Sequence, residues 1–363
     1  PMDYRIRWQQ RRRQRRQKQL LIIPAALLLI GLVYLISRLF AGGGAKVFWV
    51  HENPDSLLPH FAVGPSLVYV VGSDGHVTAL QQQNGKSVTS GPFFSFAEAY
   101  NTTPLLADHV LYVASDLGRL RALDGRTGQQ RWAFEGGAPI RYAPQMAAGR
   151  LIFGTDAGKL YCFSPEGKKL WVKEFAGAVS GQGAVIGGSV IVSTTRGEVY
   201  CVKVADGTVA WRKTLEAPIF APVAAAGSLV MIGSDNGYEY ILNASDGGLA
   251  ARYYTAGLIR TAAAAGDKGL YFGSTDGWLR VVSPDGEKPL WARYLGGPVS
   301  VGPVVAGGMV YVGRAGRLVA LNAETGRVRR EWEGEQFAGD LVVTTDTVYV
   351  GTTTGKVLAL AAP

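Results

Sequence analysis

The side chains able to act as nucleophiles or metal ligands are few and scattered along the 363 residues. Cys162 and Cys201 are the only thiols, and His51, His60, His76 and His109 the only imidazoles. None of them falls in the paired spacing that metal sites use. The two cysteines occupy the same place in neighbouring repeats, and such positions are usually separated by more than the ~7 Å a disulfide spans, so buried free thiols are expected. The aspartates mostly occupy turns, such as Asp74-Gly75, Asp206-Gly207 and Asp276-Gly277. Turn chemistry accounts for them without a catalytic role.

What remains are groups suited to binding. Two constellations stand out. One is a column of residues, thirteen positions ahead of each repeat start, that reads Pro59, Asn101, Arg141, Ser180, Phe220, Arg260, Ser300 and Ala338. In a ring these gather at the mouth of the central channel, with Arg141 and Arg260 three blades apart and Phe220 between them. The other is Phe93-Phe94-Ser95-Phe96, in the longest interval between repeats, where Phe93, Phe94 and Phe96 either plug the propeller edge or meet a partner. Arginine and aromatic residues are enriched among interface groups that matter, which makes both partner-binding candidates.

The repeat that positions them centres on residues 118–132, a strand, a tight turn and a second strand ending on Trp132. Leu120 and Ala122 alternate with polar residues before Asp124-Gly125 and Thr127-Gly128 break the pattern. The preceding segment recurs as copies beginning at Gly72, Ala114, Gly154, Ser193, Gly233, Gly273, Gly313 and Gly351, spaced 42, 40, 39, 40, 40, 40 and 38 residues apart. That is the period of four-stranded propeller blades. Eight of them account for the chain from residue 46 onward. The fold class is therefore all-β, an eight-bladed propeller.

Six tryptophans, Trp49, Trp132, Trp171, Trp211, Trp291 and Trp332, belong to the strand after the turn. Trp49 precedes the first blade, whereas the last copy, residues 355–360, ends after its third strand. Residues 46–50 are thus expected to supply the missing outer strand and close the ring, removing the open sheet edge. Thr89 and Ala251 stand where tryptophan is expected in the first and fifth copies, so those junctions are expected to be less well locked.

The pattern Ala122-x-Asp124-x-x-Thr127-Gly128-x-x-x-Trp132, echoed from Ala320 to Gly326, resembles the repeat of propellers related to pyrroloquinoline-quinone enzymes. An eight-bladed array of this size looks most like the BamB-type subunit of the outer-membrane protein assembly machinery. The resemblance covers residues 46–363 and implies a propeller working inside a cell-envelope complex. It does not extend to the enzymes' cofactor chemistry. Quinoproteins of this fold carry a vicinal cysteine pair, elaborate loops and acids that hold calcium, and this chain matches none of them. No cofactor and no small-molecule substrate are expected, and the chain is read as a non-enzyme.

Residues 1–19 are basic, and residues 20–40 form an apolar run long enough to cross a hydrocarbon core of ~30 Å. Positive charge ahead of such a span stays in the cytoplasm, which puts the propeller in the periplasm or otherwise outside the inner membrane. The expected order is a basic tail (1–19), a transmembrane signal anchor (20–40), a glycine-rich linker (41–45) and the propeller (46–363). Small residues at 41–45 suit a signal peptidase, but the apolar run is long and Arg38 interrupts the approach to them. No cysteine sits there, so the lipid tether of BamB-type proteins is not matched.

Residues 1–38 hold nine of the 37 basic groups and one of the 28 acids, leaving 28 against 27 on the propeller. A nearly neutral domain argues against nucleic-acid binding. A docking scaffold for an envelope or membrane protein complex is the leading expectation. A quinoprotein-type oxidoreductase and a periplasmic sensor subunit are the alternatives.

Overall fold

The computed structural model describes residues 46–52, 58–96 and 98–363. The expected tail, anchor and linker lie outside the described residues. Among the described residues, eight four-stranded antiparallel sheets follow one another as blades 1 to 8, each running from an inner strand a to an outer strand d, and no helix occurs. Inner strands touch from blade 3 round through blade 8 to blades 1 and 2.

Ring closure is as expected. Blade 8 takes three strands from the C-terminal end and its outer strand from Val47–Glu52, which pairs antiparallel with Lys356–Ala361. Trp49 is buried there, its indole N–H donating to the carbonyl of Gln82 in blade 1 at 2.7 Å. Middle strands such as Val110–Ala114 are buried throughout, whereas outer strands such as Gln130–Glu135 alternate. A sheet covered on both faces needs apolar residues at every step of its middle strands.

The turn explains the repeat. Asp124 Oδ1 accepts from the backbone N–H of Arg126 and Thr127 at 3.0 Å each and from the Thr127 hydroxyl at 3.2 Å. Gly128 then adopts φ 74°. The side chain thereby fixes the turn that the glycine completes. The hydrogen bond from Arg131, followed by those of the turn, holds the Asp124 carboxyl well below the usual carboxylate range. Asn322 repeats the arrangement with Thr325 N–H and hydroxyl at 2.9 and 2.8 Å.

Each tryptophan of the column lies over the turn glycine of the next blade. A Cβ added at Gly85, Gly167, Gly207, Gly247 or Gly326 would sit within 3.0 Å of the ring of Trp49, Trp132, Trp171, Trp211 or Trp291 respectively. The indole N–H of each donates to a carbonyl of that next turn. Glycine is required there twice over, for positive φ and for the flat approach of the ring.

Two expectations need correction. Trp332 is not in the column: it pairs across from Leu318, and Arg330 occupies the column position, donating to the carbonyls of Ala361 and Ala362 at 2.9 Å. The junctions lacking tryptophan are not left unfilled either. Phe93 lies against Gly128, and the Tyr253 hydroxyl donates to the carbonyl of Gly286 at 2.9 Å, the bond an indole makes elsewhere.

Cys162 and Cys201 are free and buried, each across from the tryptophan of its own blade. Burial pushes both thiols up.

Candidate functional site

Pro59, Asn101, Arg141, Phe220 and Arg260 lie between the outer strand of one blade and the inner strand of the next, whereas Ser180, Ser300 and Ala338 lie near the start of inner strands. They share a face with the turns that join strands b and c, because those turns supply their partners. Arg141 Nε donates to Asp156 Oδ2 at 2.6 Å, and its guanidinium stands 3.6 Å from Asp116. Asn101 donates to that same aspartate at 2.6 Å, so a polar chain crosses from blade 2 to blade 3. Hydrogen bonding and charge from Asp156 raise Arg141 further above its ordinary range.

Arg260 is held in the same way by blade 5. Its Nε and Nη2 reach Asp235 at 3.1 and 2.9 Å. The guanidinium also sits 5.5 Å from the centroid of the Phe220 ring, whose residue is 36% exposed. Arg141 and Arg260 keep roughly half of their side-chain surface in solvent. The mouth therefore presents two exposed guanidinium–carboxylate pairs, one of them backed by an aromatic face. Ser180 is buried and bonded to Ser193, which removes it from the mouth surface.

The aspartates were the partners sequence reasoning did not assign. Asp116, Asp156 and Asp235 occur two residues after the start of their copies, a regularity visible in the sequence. Below the mouth, at the inner strands, Asp340 of blade 8 accepts from the backbone N–H of Phe61 at 2.8 Å. It also accepts from the Thr103 hydroxyl and lies 3.3 Å from His60 Nδ1. This polar knot joins blades 8, 1 and 2 where the ring closes.

The aromatic segment is not a loose connection. Phe94–Ser95 forms the short outer strand of blade 1, and Phe93 is buried beside Tyr69, with ring centroids 5.9 Å apart. Phe94 and Phe96 pack on each other at 4.4 Å, and the Arg121 guanidinium lies 3.5 Å from the Phe96 centroid. Arg121 is in turn paired with the buried Glu98, which also accepts from Ser115 Oγ at 2.9 Å. The structure thus separates the two constellations: Phe220 joins Arg260 at the mouth, and the three phenylalanines sit at the edge of blade 1.

The family model described as outer membrane protein assembly factor BamB matches residues 34–178, 157–273 and 275–362. The chain belongs to this family. BamB of Burkholderia pseudomallei is 28% identical over 37% of this chain and 34% of its own length, and BamB of Nitrosomonas eutropha 29% identical over 30% and 26%. The chain thus spans about a third or less of the curated BamB relatives it matches. The crystal structure of BamB from Moraxella catarrhalis superposes with a TM-score of 0.75 at 16% identity, covering 88% of this chain and all of that one. The BamB-type, PQQ-like propeller read from the repeat is therefore the fold of this chain.

Proposed function

We propose that this protein is a non-catalytic docking propeller in a cell-envelope complex, engaged in outer-membrane protein assembly, with its partner seated at the channel mouth. The observation that carries the reading is the Phe220–Arg260–Asp235 cluster. It is an exposed aromatic and a guanidinium held in one orientation by a bidentate carboxylate, on a rigid scaffold of matched blades. Pre-oriented arginine and aromatic side chains are the groups that give protein interfaces most of their affinity. The BamB family membership supports the process, because its curated members are named as assembly factors.

In this reading Arg141 forms the second anchor across the mouth, and the segment from Phe93 to Phe96 is a subsidiary contact through Phe94 and Phe96. The chain is held at the inner membrane by residues 20–40, with the propeller outside the cytoplasm. The test is the joint substitution Arg141→Ala and Arg260→Ala in the full chain. Recovery of the membrane partner falls while the melting temperature holds, since half-exposed ion pairs contribute about 0 to 1 kcal/mol each. Unchanged recovery, or dehydrogenase activity on addition of pyrroloquinoline quinone, overturns the proposal.

A further inference from the structure

The eight blades allow each position to be compared with its own repeats, and one position departs sharply. The first residue of strand c lies opposite the last residue of strand d, beside the turn joining b and c. In blade 2 these are Arg119 and Glu135, ion-paired at 3.1 Å; in blade 3, Lys159 and Glu174 at 3.5 Å. Blade 7 pairs Arg317 with Glu333, and blade 8 pairs Lys356 with Glu52 at 3.6 Å. A cation and an anion thus fill this solvated corner in four of the eight blades, while blade 1 has His76 opposite Ser95 and blade 4 has Glu198 opposite Thr214.

Blades 5 and 6 replace the ion pair with two aromatic rings. Tyr238 faces Tyr254 with centroids 5.1 Å apart, and Trp278 faces Tyr294 at 5.5 Å. Tyr254 is 65% exposed, Tyr294 55% and Trp278 39%. Nothing in the turn demands them, since four other blades build the same corner from charges. Exposed aromatic surface that recurs on adjacent elements marks an interaction site.

The charges around the rings define the occupant. Asp235 and Asp276, on the two adjoining turns, are held by Arg260 and Arg280. Arg252 lies on the same face as Tyr254, two residues along the strand, and its guanidinium stands 5.0 Å from the Tyr238 centroid. It is exposed, and among the described residues it has no carboxylate partner. The corner therefore offers ring faces and an unneutralised guanidinium, while its acids are already engaged.

We infer that the rim of blades 5 and 6 is a second docking surface, taking an extended segment of a partner protein that alternates carboxylates with aromatic or aliphatic side chains. The apolar residues lie on the two ring pairs and a carboxylate meets Arg252. The inference does not depend on the partner proposed for the channel mouth.

The full chain in detergent is titrated with a fluorescent peptide alternating Glu with Tyr and Leu, and with its Lys-for-Glu counterpart. The acidic peptide binds, and the basic one binds at least about tenfold more weakly. Trp278→Arg combined with Tyr294→Glu installs the corner of blade 2, so the fold is kept, and acidic-peptide affinity falls about tenfold or more. Arg252→Ala weakens the acidic peptide and reduces its salt dependence. Arg141→Ala, whose partners Asp116 and Asp156 belong to blades 2 and 3, leaves peptide binding unchanged, which separates this surface from the mouth. Equal binding of both peptides, no effect of the corner swap, or capture by phosphatidylglycerol vesicles in place of peptide each overturns the inference.

Discussion

Glu239 is the residue least at home in this propeller. Its position in strand c of blade 5 corresponds to Val77, Leu120, Leu160, Val199, Leu279, Leu318 and Val357, all buried and apolar. The carboxyl is fully buried beside Gly233, and neither oxygen has a hydrogen-bond partner within the described residues. Desolvation pushes its pKa up to about 8. The folded state therefore holds a proton that the unfolded chain, with an ordinary carboxyl, releases above about pH 4.5. The contribution of this group is most favourable below that pH and is lost as pH rises towards 8, by about 3 to 5 kcal/mol in all. Denaturant unfolding across this range shows the slope in the wild type and loses it in Glu239→Gln. Glu239→Leu, which restores the residue class of the other blades, raises stability at pH 8; a lower stability would contradict the burial argument. A second residue-scale expectation concerns the tryptophan column. Trp211→Ala removes an indole that covers Gly247 and donates to Ala244, and lowers stability by about 3 to 5 kcal/mol.

At the scale of elements, the outer strand Val47–Glu52 joins the two ends of the array. Deleting it exposes the edge of Lys356–Ala361 and strips Trp49 from Gln82, Gly85 and Tyr349. A chain beginning after Glu52 is expected to melt well below the full chain, because loss of one large buried aromatic alone costs ~3 to 5 kcal/mol. Equal melting temperatures would refute closure by this strand. The blades and their closure were legible because glycine, Asx and tryptophan recur at a fixed period, each answering a local need of the turn. The exceptions were harder to read. Eight residues on from Asp124 is Trp132, and the same count from Asn322 reaches Arg330, so Trp332 only resembles a member of the column. Likewise Phe93 and Tyr253 fill junctions from positions the motif does not include. Substitutes that reach a shared space from different backbone positions leave no periodic trace.

At the scale of the whole molecule, the two arginines of the mouth were visible as a column, but their state was not. Their partners, Asp116, Asp156 and Asp235, come from the turns joining strands b and c of flanking blades, 15 to 25 residues away in sequence, which blade packing brings within reach. The mouth is consequently a set of oriented charge pairs, and this suits recognition of a polar segment better than bulk attraction of an acidic one. The exposed aromatic corner of blades 5 and 6 lies on the same face, so the two proposed docking surfaces share one side of the propeller. The most direct measurement replaces Phe220 with a photocrosslinking phenylalanine and, in a separate chain, places the same group at Asp267, on the turn joining strands a and b of blade 6. After irradiation of intact membranes, the account predicts that position 220 forms an adduct with a subunit of the outer-membrane assembly machinery and position 267 does not. An adduct from 267 alone, or capture of a sensor kinase or a cytochrome at 220, would contradict it.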